Sequence, residues 1–291
     1  MALNPAKATS IAQDARTVRQ WIDASDRVLI GAGAGLSADA GVDYTNEADF
    51  ASKFPLLVRR GIRAAYQMIG YTALPPDLFW GYWLLHVNEV RFGDGGRRVY
   101  QLLHELVKDK DTFVLTSNVD ALFVRNGFSD ERVCSIQGDF AFLQCLRPCS
   151  DELWPSAPVL DRLIPEIDCE TGSLRDGSLA PICPRCGGPV FFNVRGGDWF
   201  VEAPWRRQFA SLQRWVPSAS NERLLVLDIG SGFNTPGVVR WPMERVAAAV
   251  PTARFVRINR HEPDMRVDIG VRALTVAAGA LEVIEAVAAT E

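Results

Sequence analysis

The chain has 291 residues, 48% of them hydrophobic and 23% charged, so there is material for a large core and one to two domains. A formal charge of −4 gives no reason to expect nucleic-acid or membrane-surface partners. No apolar signal region follows Met1, and the longest apolar run carries Glu282 and Glu285, so nothing is expected to cross a membrane and a cytoplasmic protein is expected.

Ile11, Ala15, Val18, Trp21 and Ile22 recur at helical spacing and predict an N-terminal helix. Arg27–Ile30 is a short apolar strand that runs into a glycine loop. Residues 46–95 are aromatic-rich (Phe50, Phe54, Tyr66, Phe79, Trp80, Tyr82, Trp83) and mostly helical, with a break at Pro75-Pro76. A helix over 97–108 and a strand over 113–116 follow. Residues 145–190 are loop-rich and hold cysteines. Strands at 224–228 and 254–258 flank a helix at 238–250, and Ala273–Ala289 reads as an amphipathic terminal helix. Strands alternating with helices predict an α/β fold with a parallel sheet covered on both faces. The expected division is a Rossmann-like domain over 1–45, 96–144 and 191–291, a helical insertion over 46–95 and a cysteine-bearing insertion over 145–190.

Three motifs carry chemistry. The first, Gly31-Ala-Gly-Ala-Gly-Leu-Ser-Ala-Asp-Ala-Gly41, is not a strict G-x-G-x-x-G, because the third glycine position falls on Leu36. Glycines straight after a strand let the backbone approach a pyrophosphate, or they make only a tight turn. The second, Thr116-Ser-Asn-Val-Asp120, ends a buried strand, where Asn and Asp serve a pocket or cap the next helix. The third is Ile136-Gln-Gly-Asp-Phe140; His86, His104 and His261 are all out of register with it and read as structural.

Cys145 and Cys149 form a C-x3-C pair, and Cys183 and Cys186 a C-x2-C pair followed by Gly187-Gly188. Two such pairs converge as a tetrahedral thiolate site for zinc, and four thiolates leave no open position, so the metal is structural. The 33 residues between the pairs exceed the usual spacing, and Cys169 is the replacement ligand if the first pair fails. Cys134 reads as a buried core thiol.

Taken together, these motifs resemble the active-site core of the sirtuins. The first matches G-A-G-x-G-x-S-x-x-x-G with Ser37 and Gly41 in register, and the second resembles T-Q-N-x-D with Ser117 in place of the glutamine. The third sits where sirtuins carry His-Gly-Ser/Thr-Phe, with Gln137 in place of the catalytic histidine and Asp139 in place of the Ser/Thr. Gly138-Asp-Phe140, Asp198-Trp-Phe-Val-Glu202 and Gly230-Ser-Gly-Phe-Asn-Thr-Pro236 extend the resemblance to the macrodomain-linked sirtuins of microbes, over about residues 25–290. The resemblance implies NAD as cofactor. It places Gly31, Ala32, Gly33, Leu36, Ser37, Gly41, Asp43, Tyr44, Ser117, Asn118, Asp120 and Gln137 around the phosphates, the nicotinamide and its ribose. Gly230, Ser231, Asn234, Thr235 and Asn259 fall on the adenosine side, the helix after them starting near Pro236. Asn118 and Gln137 are then the catalytic pair, and Asp120 recognises the carboxamide. Where sirtuins continue with Pro-Asp-Phe-Arg, whose Phe and Arg cover the nicotinamide ribose, this chain has Val42-Asp-Tyr-Thr-Asn46, and the resemblance leaves Tyr44 to take over part of that cover.

The glutamine decides between chemistries. Cleaving the nicotinamide–ribose bond needs orientation and electrostatic stabilisation rather than a strong base. Deacylation needs a ribose hydroxyl deprotonated, and a glutamine amide cannot accept that proton. Losing general-base catalysis removes roughly 10²–10⁴-fold from the late steps. The expectation is therefore NAD-dependent ADP-ribosyl transfer to a protein, with slow protein-lysine deacylation or NAD hydrolysis as alternatives. A non-catalytic binding module has no need of Asn118 and Asp120. The resemblance further implies a lipoylated carrier protein as acceptor and a macrodomain hydrolase as a partner. Trp199, Phe200 and Trp205 either line an entry for a long acyl arm or pack as core. Arg206, Arg207 and Arg214 are either a solvated face or a dock for an acidic carrier.

Overall fold

The computed structural model describes residues 5–70, 73–219 and 222–290. Its helices are α1 (Pro5–Ala24), α2 (Ala34–Asp39), α3 (Glu47–Lys53), α4 (Pro55–Arg59), α5 (Pro76–Val87) and α6 (Arg98–Val107). They continue with α7 (Leu122–Arg125), α8 (Ala157–Leu163), α9 (Arg206–Ser218), α10 (Arg240–Ala249) and α11 (Ala280–Ala288). The strands are β1 (Arg27–Ala32), β2 (Asp111–Thr116), β3 (Val133–Ser135), β4 (Gly138–Cys145), β5 (Trp154–Pro155), β6 (Val190–Val194), β7 (Leu224–Ile229), β8 (Arg254–Ile258) and β9 (Ala273–Val276).

The chain divides into two compact units. The first comprises Met1–Val42, Gly96–Ile136 and Trp205–Glu291. It is built on a six-stranded sheet of order β3-β2-β1-β7-β8-β9 in which every pairing is parallel. The strands read as near-continuous Val, Leu, Ile and Phe because both faces are covered. Leu29, Phe113, Val226 and Phe255 pack with Leu212 and Trp215 of α9 and Met243 and Ala247 of α10. In α1, Ile11, Ala15, Val18 and Ile22 are buried as their spacing dictates. The strand order reverses between β1 and β7, so the loops leaving these two neighbours open side by side, the position where α/β sheets bind ligands.

Two expected elements of this unit come out differently. The run Ala273–Ala289 is not one helix: its first residues form the edge strand β9, in register with β8 from Phe255↔Ala273 to Ile258↔Val276. The helix begins only at Ala280, after Gly279 as N-cap, because Thr275 and Val276 suit a strand and the backbone N–H of Ala280 is taken by the Asp39 carboxylate. Likewise the helix expected near Pro236 starts at Arg240, and residues 230–239 are loop and turn.

The second unit comprises Asp43–Gly95 and Gln137–Pro204. It holds a three-stranded antiparallel sheet of order β5-β4-β6 with α3, α4, α5 and α8. The Pro75-Pro76 break is the start of α5, with Pro76 inside its first turn. Gly81 lets α5 lie against the turn at Gly172, since a Cβ there would stand 2.1 Å from the Gly172 carbonyl oxygen. Phe79, Trp80 and Trp83 of α5 meet Phe191 of β6 edge-on or tilted, with ring centroids 4.9–6.4 Å apart. The helix ends in a π-helical turn over Asn88–Phe92. The division differs from the expected boundaries because β4 pairs with β6, which joins residues 137–144 and 191–204 to the cysteine-bearing segment. Among the described residues no helix is long and apolar enough to cross a membrane.

Candidate active site

In the first unit the glycine loop after β1 and the loop after β7 interlock through backbone. Gly33 N–H donates to the Ile229 carbonyl at 3.1 Å, and Gly35 N–H to that of Gly230 at 3.0 Å. A Cβ on Gly33 would sit 2.7 Å from the Gly230 carbonyl oxygen, and one on Gly230, whose φ is +67°, 2.4 Å from Leu36 N. These glycines are therefore dictated by loop-on-loop contact. Gly31 abuts Met243 of α10, and Ala32 and Leu36 are fully buried beside it. Gly41, at φ +91°, ends α2 and is exposed.

Asn118 and Asp120 are buried at the end of β2, fastened by a directed chain of hydrogen bonds. Ser37 Oγ donates to Asp120 Oδ2 at 2.6 Å, which uses its one hydrogen. The contact of 3.1 Å between Ser37 Oγ and the Tyr100 hydroxyl must then have Tyr100 as donor. The Tyr100 oxygen in turn accepts from Asn118 Nδ2 at 3.5 Å, and the same amide donates to the Gly33 carbonyl at 3.1 Å. A carbonyl can only accept, so this fixes which way the amide points and leaves Asn118 Oδ1 as its acceptor end. Burial, reinforced by the Asp120 charge, raises the Tyr100 phenol well above its usual range, which keeps it a donor. Asp120 Oδ1 also takes the N–H of Leu122 at 2.9 Å, so the Ser37 hydroxyl and the helix start share one carboxylate. Ser117, half-buried, donates its N–H to the Ala32 carbonyl at 3.1 Å.

On the β7–β8 side the organiser is Arg257, fully buried and paired with Asp228. It donates to Ser231 Oγ at 3.0 Å, to the Ser231 carbonyl at 2.7 Å and to the Glu262 carbonyl at 2.8 Å. Asn259 Nδ2 also donates to the Ser231 carbonyl, at 2.9 Å, while its Oδ1 accepts the N–H groups of His261 and Glu262. Ser231 is thereby locked, whereas Asn234 and Thr235 are exposed on the same loop.

Three expected site residues lie in the second unit. Asp43 Oδ1 accepts the Thr45 N–H at 2.8 Å in a local turn. The Tyr44 hydroxyl meets His86 Nε2 at 3.2 Å, and His86 stacks on Tyr82 at 5.4 Å between ring centroids. Burial, helped by the Lys53 charge, pushes His86 down to about 4, so its ring is neutral. Gln137, half-buried, is held by its backbone: its carbonyl accepts Arg195 N–H at 2.9 Å. Gly138 must be glycine, with φ +96° and a would-be Cβ 2.0 Å from the Asn193 carbonyl oxygen. Asp139 receives Arg91 Nε at 2.7 Å and Nη2 at 3.3 Å, from the π-helical turn after α5.

The segment 198–205, with Trp199, Phe200 and Trp205 expected either to line an acyl entry or to pack as core, is turn and coil as far as Glu202 and a 3-10 turn over Ala203–Trp205. Two fully buried amides hold it. Gln144 donates to the Trp199 carbonyl at 2.6 Å and accepts the Val201 N–H at 3.1 Å, and Asn193 donates to the Val201 carbonyl at 3.1 Å. Arg206, Arg207 and Arg214 are exposed on α9.

Cys145, Cys149, Cys183 and Cys186 converge, their sulfurs all within 4.8 Å of one another and the Cys145–Cys186 and Cys149–Cys183 pairs each at 3.6 Å. Zinc with Zn–S of about 2.3 Å in a tetrahedron asks for sulfurs about 3.8 Å apart, so the four thiols fit it. Backbone N–H groups, first that of Cys186, bring the Cys183 thiol down to about 6, the direction a metal ligand needs. Cys169 is exposed and outside the cluster. Burial pushes the Cys134 thiol up to about 12, an inert core residue.

Sequence reasoning passed over Tyr100, Arg257 and Arg91. Tyr100 shares the buried face of α6 with Leu103 and Val107, where a hydroxyl is the only signal of a polar role. Arg257 is a charge inside an apolar strand, which is a readable signal. Arg91 depends on a π-turn that nothing in the local sequence announces.

No family model matches the chain. It is 38% identical over 232 residues to a probable bifunctional ADP-ribose hydrolase/ADP-ribosyltransferase of Fusarium oxysporum f. sp. cubense. That match covers 78% of this chain but only 39% of the relative. It is 24% identical over 253 residues to a protein ADP-ribosyltransferase of Staphylococcus aureus, covering 85% of this chain and 78% of that one. Among solved structures, a Sir2 homologue–NAD complex superposes with a TM-score of 0.57 at 18% identity, over 94% of this chain and 92% of the other.

Proposed function

We propose that this sirtuin-like chain is an NAD-dependent protein ADP-ribosyltransferase that releases nicotinamide, works in the cytoplasm and takes a lipoylated carrier protein as acceptor. The observation that carries the reading is Gln137 standing where a base would be needed, on a chain whose Asn118, Ser37 and Asp120 are joined through Tyr100 in one chain of hydrogen bonds. Two relatives named ADP-ribosyltransferases support it. The Fusarium relative, named also as a hydrolase and mostly outside the match, supports pairing with a macrodomain hydrolase that removes the modification.

The donor set fits NAD. Asn118 Oδ1, the acceptor end of a clamped amide, would take a hydroxyl of the nicotinamide ribose, and the buried Asp120 carboxylate would take the carboxamide N–H. Ser231, Asn234 and Asn259 would hold the adenosine side. NAD supplies the leaving group and the ADP-ribosyl unit. Asn118 and Asp120 orient both sides of the bond to be broken, and orientation of this kind is worth several kcal/mol of barrier. Gln137 can hydrogen-bond a ribose hydroxyl without deprotonating it, which leaves transfer as the productive exit. Zinc on the four cysteines would have a structural role only.

The test incubates the purified chain with NAD and lipoylated or unmodified carrier protein and reads intact masses. One ADP-ribose gained by the carrier, with nicotinamide released, is the expected result. Nicotinamide without any adduct would mean NAD hydrolysis. Asn118→Ala and Gln137→Ala should each abolish transfer while NAD still binds, and undiminished transfer by both would overturn their roles. Gln137→His should raise deacylation of acyl-lysine peptides by about two orders of magnitude, the lower end of the ~10²–10⁴ that a general base supplies.

A further inference from the structure

Phe233 has no part in the site described so far, yet it lies in the Gly230–Thr235 loop and is 53% exposed. That makes it the most exposed phenylalanine among the described residues. Its neighbours are Gly, Ser, Asn and Thr, so no apolar packing calls for an aromatic there. One face of the ring rests on the Arg240 guanidinium, with Cζ 3.9 Å from the ring centroid. Arg240 is itself 1% exposed and immobilised, donating to the Asp264 carbonyl at 2.6 Å and pairing with Glu262 at 3.4 Å and Glu244 at 3.6 Å. The loop backbone two residues earlier is nailed by Arg257 and Asn259 at the Ser231 carbonyl. A ring fixed from below by a buried cation, on a fixed loop, presents a flat π-surface, which is the structure of a base-stacking platform.

We infer that Phe233 is the platform on which the adenine ring of the dinucleotide stacks, an inference that rests on the NAD-dependent reading above. The charge beneath it selects between the two rings of NAD. A cation under the platform disfavours the positively charged nicotinamide ring and suits a neutral, electron-rich purine. Position agrees, since the loop follows β7 while the Asn118–Asp120 pocket follows β2.

The test is calorimetric titration of the full chain with ADP-ribose, comparing Phe233→Trp, Phe233→Tyr, Phe233→Leu and Phe233→Ala. Stacking on an aromatic is worth ~1–3 kcal/mol per base, so Ala and Leu should each weaken binding about tenfold. Trp and Tyr should retain it, and the added indole fluorescence of the Phe233→Trp variant should be quenched by ADP-ribose. Equal melting temperatures across the series exclude a folding effect. Leu or Ala binding as tightly as Phe would overturn the inference and leave the transferase reading intact, as expected if the ring docks a protein instead. Wild-type chain that binds neither NAD nor ADP-ribose would overturn both.

Discussion

Asn118 and Gln137 are the two residues on which the proposed chemistry turns, and the fold fastens them in different ways. Asn118 is held through side chains: its amide, the Tyr100 phenol, the Ser37 hydroxyl and the Asp120 carboxylate form one directed chain within the first unit. Gln137 is held through backbone, by its own carbonyl to Arg195 and by Gly138 pressed on Asn193, at the start of β4 in the second unit. The other end of that strand is Cys145, a member of the cysteine cluster. β6, its partner, begins just after the Cys183–Gly188 turn. A polar relay can lose one member and leave the fold standing. A residue held by strand register depends on whatever holds the strands.

The comparison breaks hardest at the zinc. Structural zinc contributes ~10–16 kcal/mol in small zinc modules, as much as the entire stability of an ordinary domain. Chelation or Cys183→Ser should therefore open the second unit and abolish transfer. Hydrogen exchange should show protection lost in β4 and β6 while β1, β2 and β7 keep theirs. One zinc per chain by mass spectrometry is the companion expectation. Retention of protected β4 and of turnover after complete metal removal would mean that the strands hold Gln137 unaided.

The next effect is a pH dependence that His86 contributes from the second unit. His86 titrates at about 4 in the folded chain because it is buried, against about 6.5 unfolded. Between those values the unfolded chain binds more protons, so stability is complete above pH ~6.5 and falls as the solution is acidified towards pH 4. The shift corresponds to ~3 kcal/mol at full extent. Urea midpoints followed by the fluorescence of Trp80 and Trp83 should drop between pH 7 and 4.5, and His86→Phe should flatten that slope. An unchanged slope in the variant would assign the acid sensitivity to another group.

Much of the fold was readable because the sheet strands are short apolar runs between helical periods, and the glycines and cysteines stand at spacings few other structures need. What escaped was set by contacts far apart in sequence. Ala273–Val276 reads as part of an Ala-rich helical run, although Thr275 and Val276 suit a strand, and it takes that form where β8 offers it an edge. The glycines at 33, 35 and 230 read as a phosphate cradle, yet the local demand on them is the mutual contact of two loops separated by nearly two hundred residues. Gln144 and Asn193 look like ordinary polar strand positions; only the folded sheet shows them as the supports of Trp199 and Val201. Tyr100 was hidden for the opposite reason, since a tyrosine on the apolar face of a helix satisfies the periodicity perfectly well.

Tyr100 also supplies the smallest perturbation, and the one that separates the two ways of fastening most cleanly. Tyr100→Phe keeps the ring against Phe123 and removes only the hydroxyl, leaving Ser37 without its donor and the Asn118 side-chain amide with the Gly33 carbonyl. One neutral hydrogen bond of this kind is worth ~1 kcal/mol, so the melting temperature should fall by only a few degrees. Asn118 would be less sharply oriented, and a misplaced reactive group costs far more in rate than in stability. The expected outcome is therefore a drop of about tenfold in kcat with zinc content and the protection of β4 unchanged. Ser37→Ala should exceed it, because Asp120 then loses a charge-assisted partner. If Tyr100→Phe lowered stability by the expected amount and left kcat untouched, the Gly33 carbonyl alone would suffice to aim Asn118, and the relay would belong to the fold rather than to the reaction.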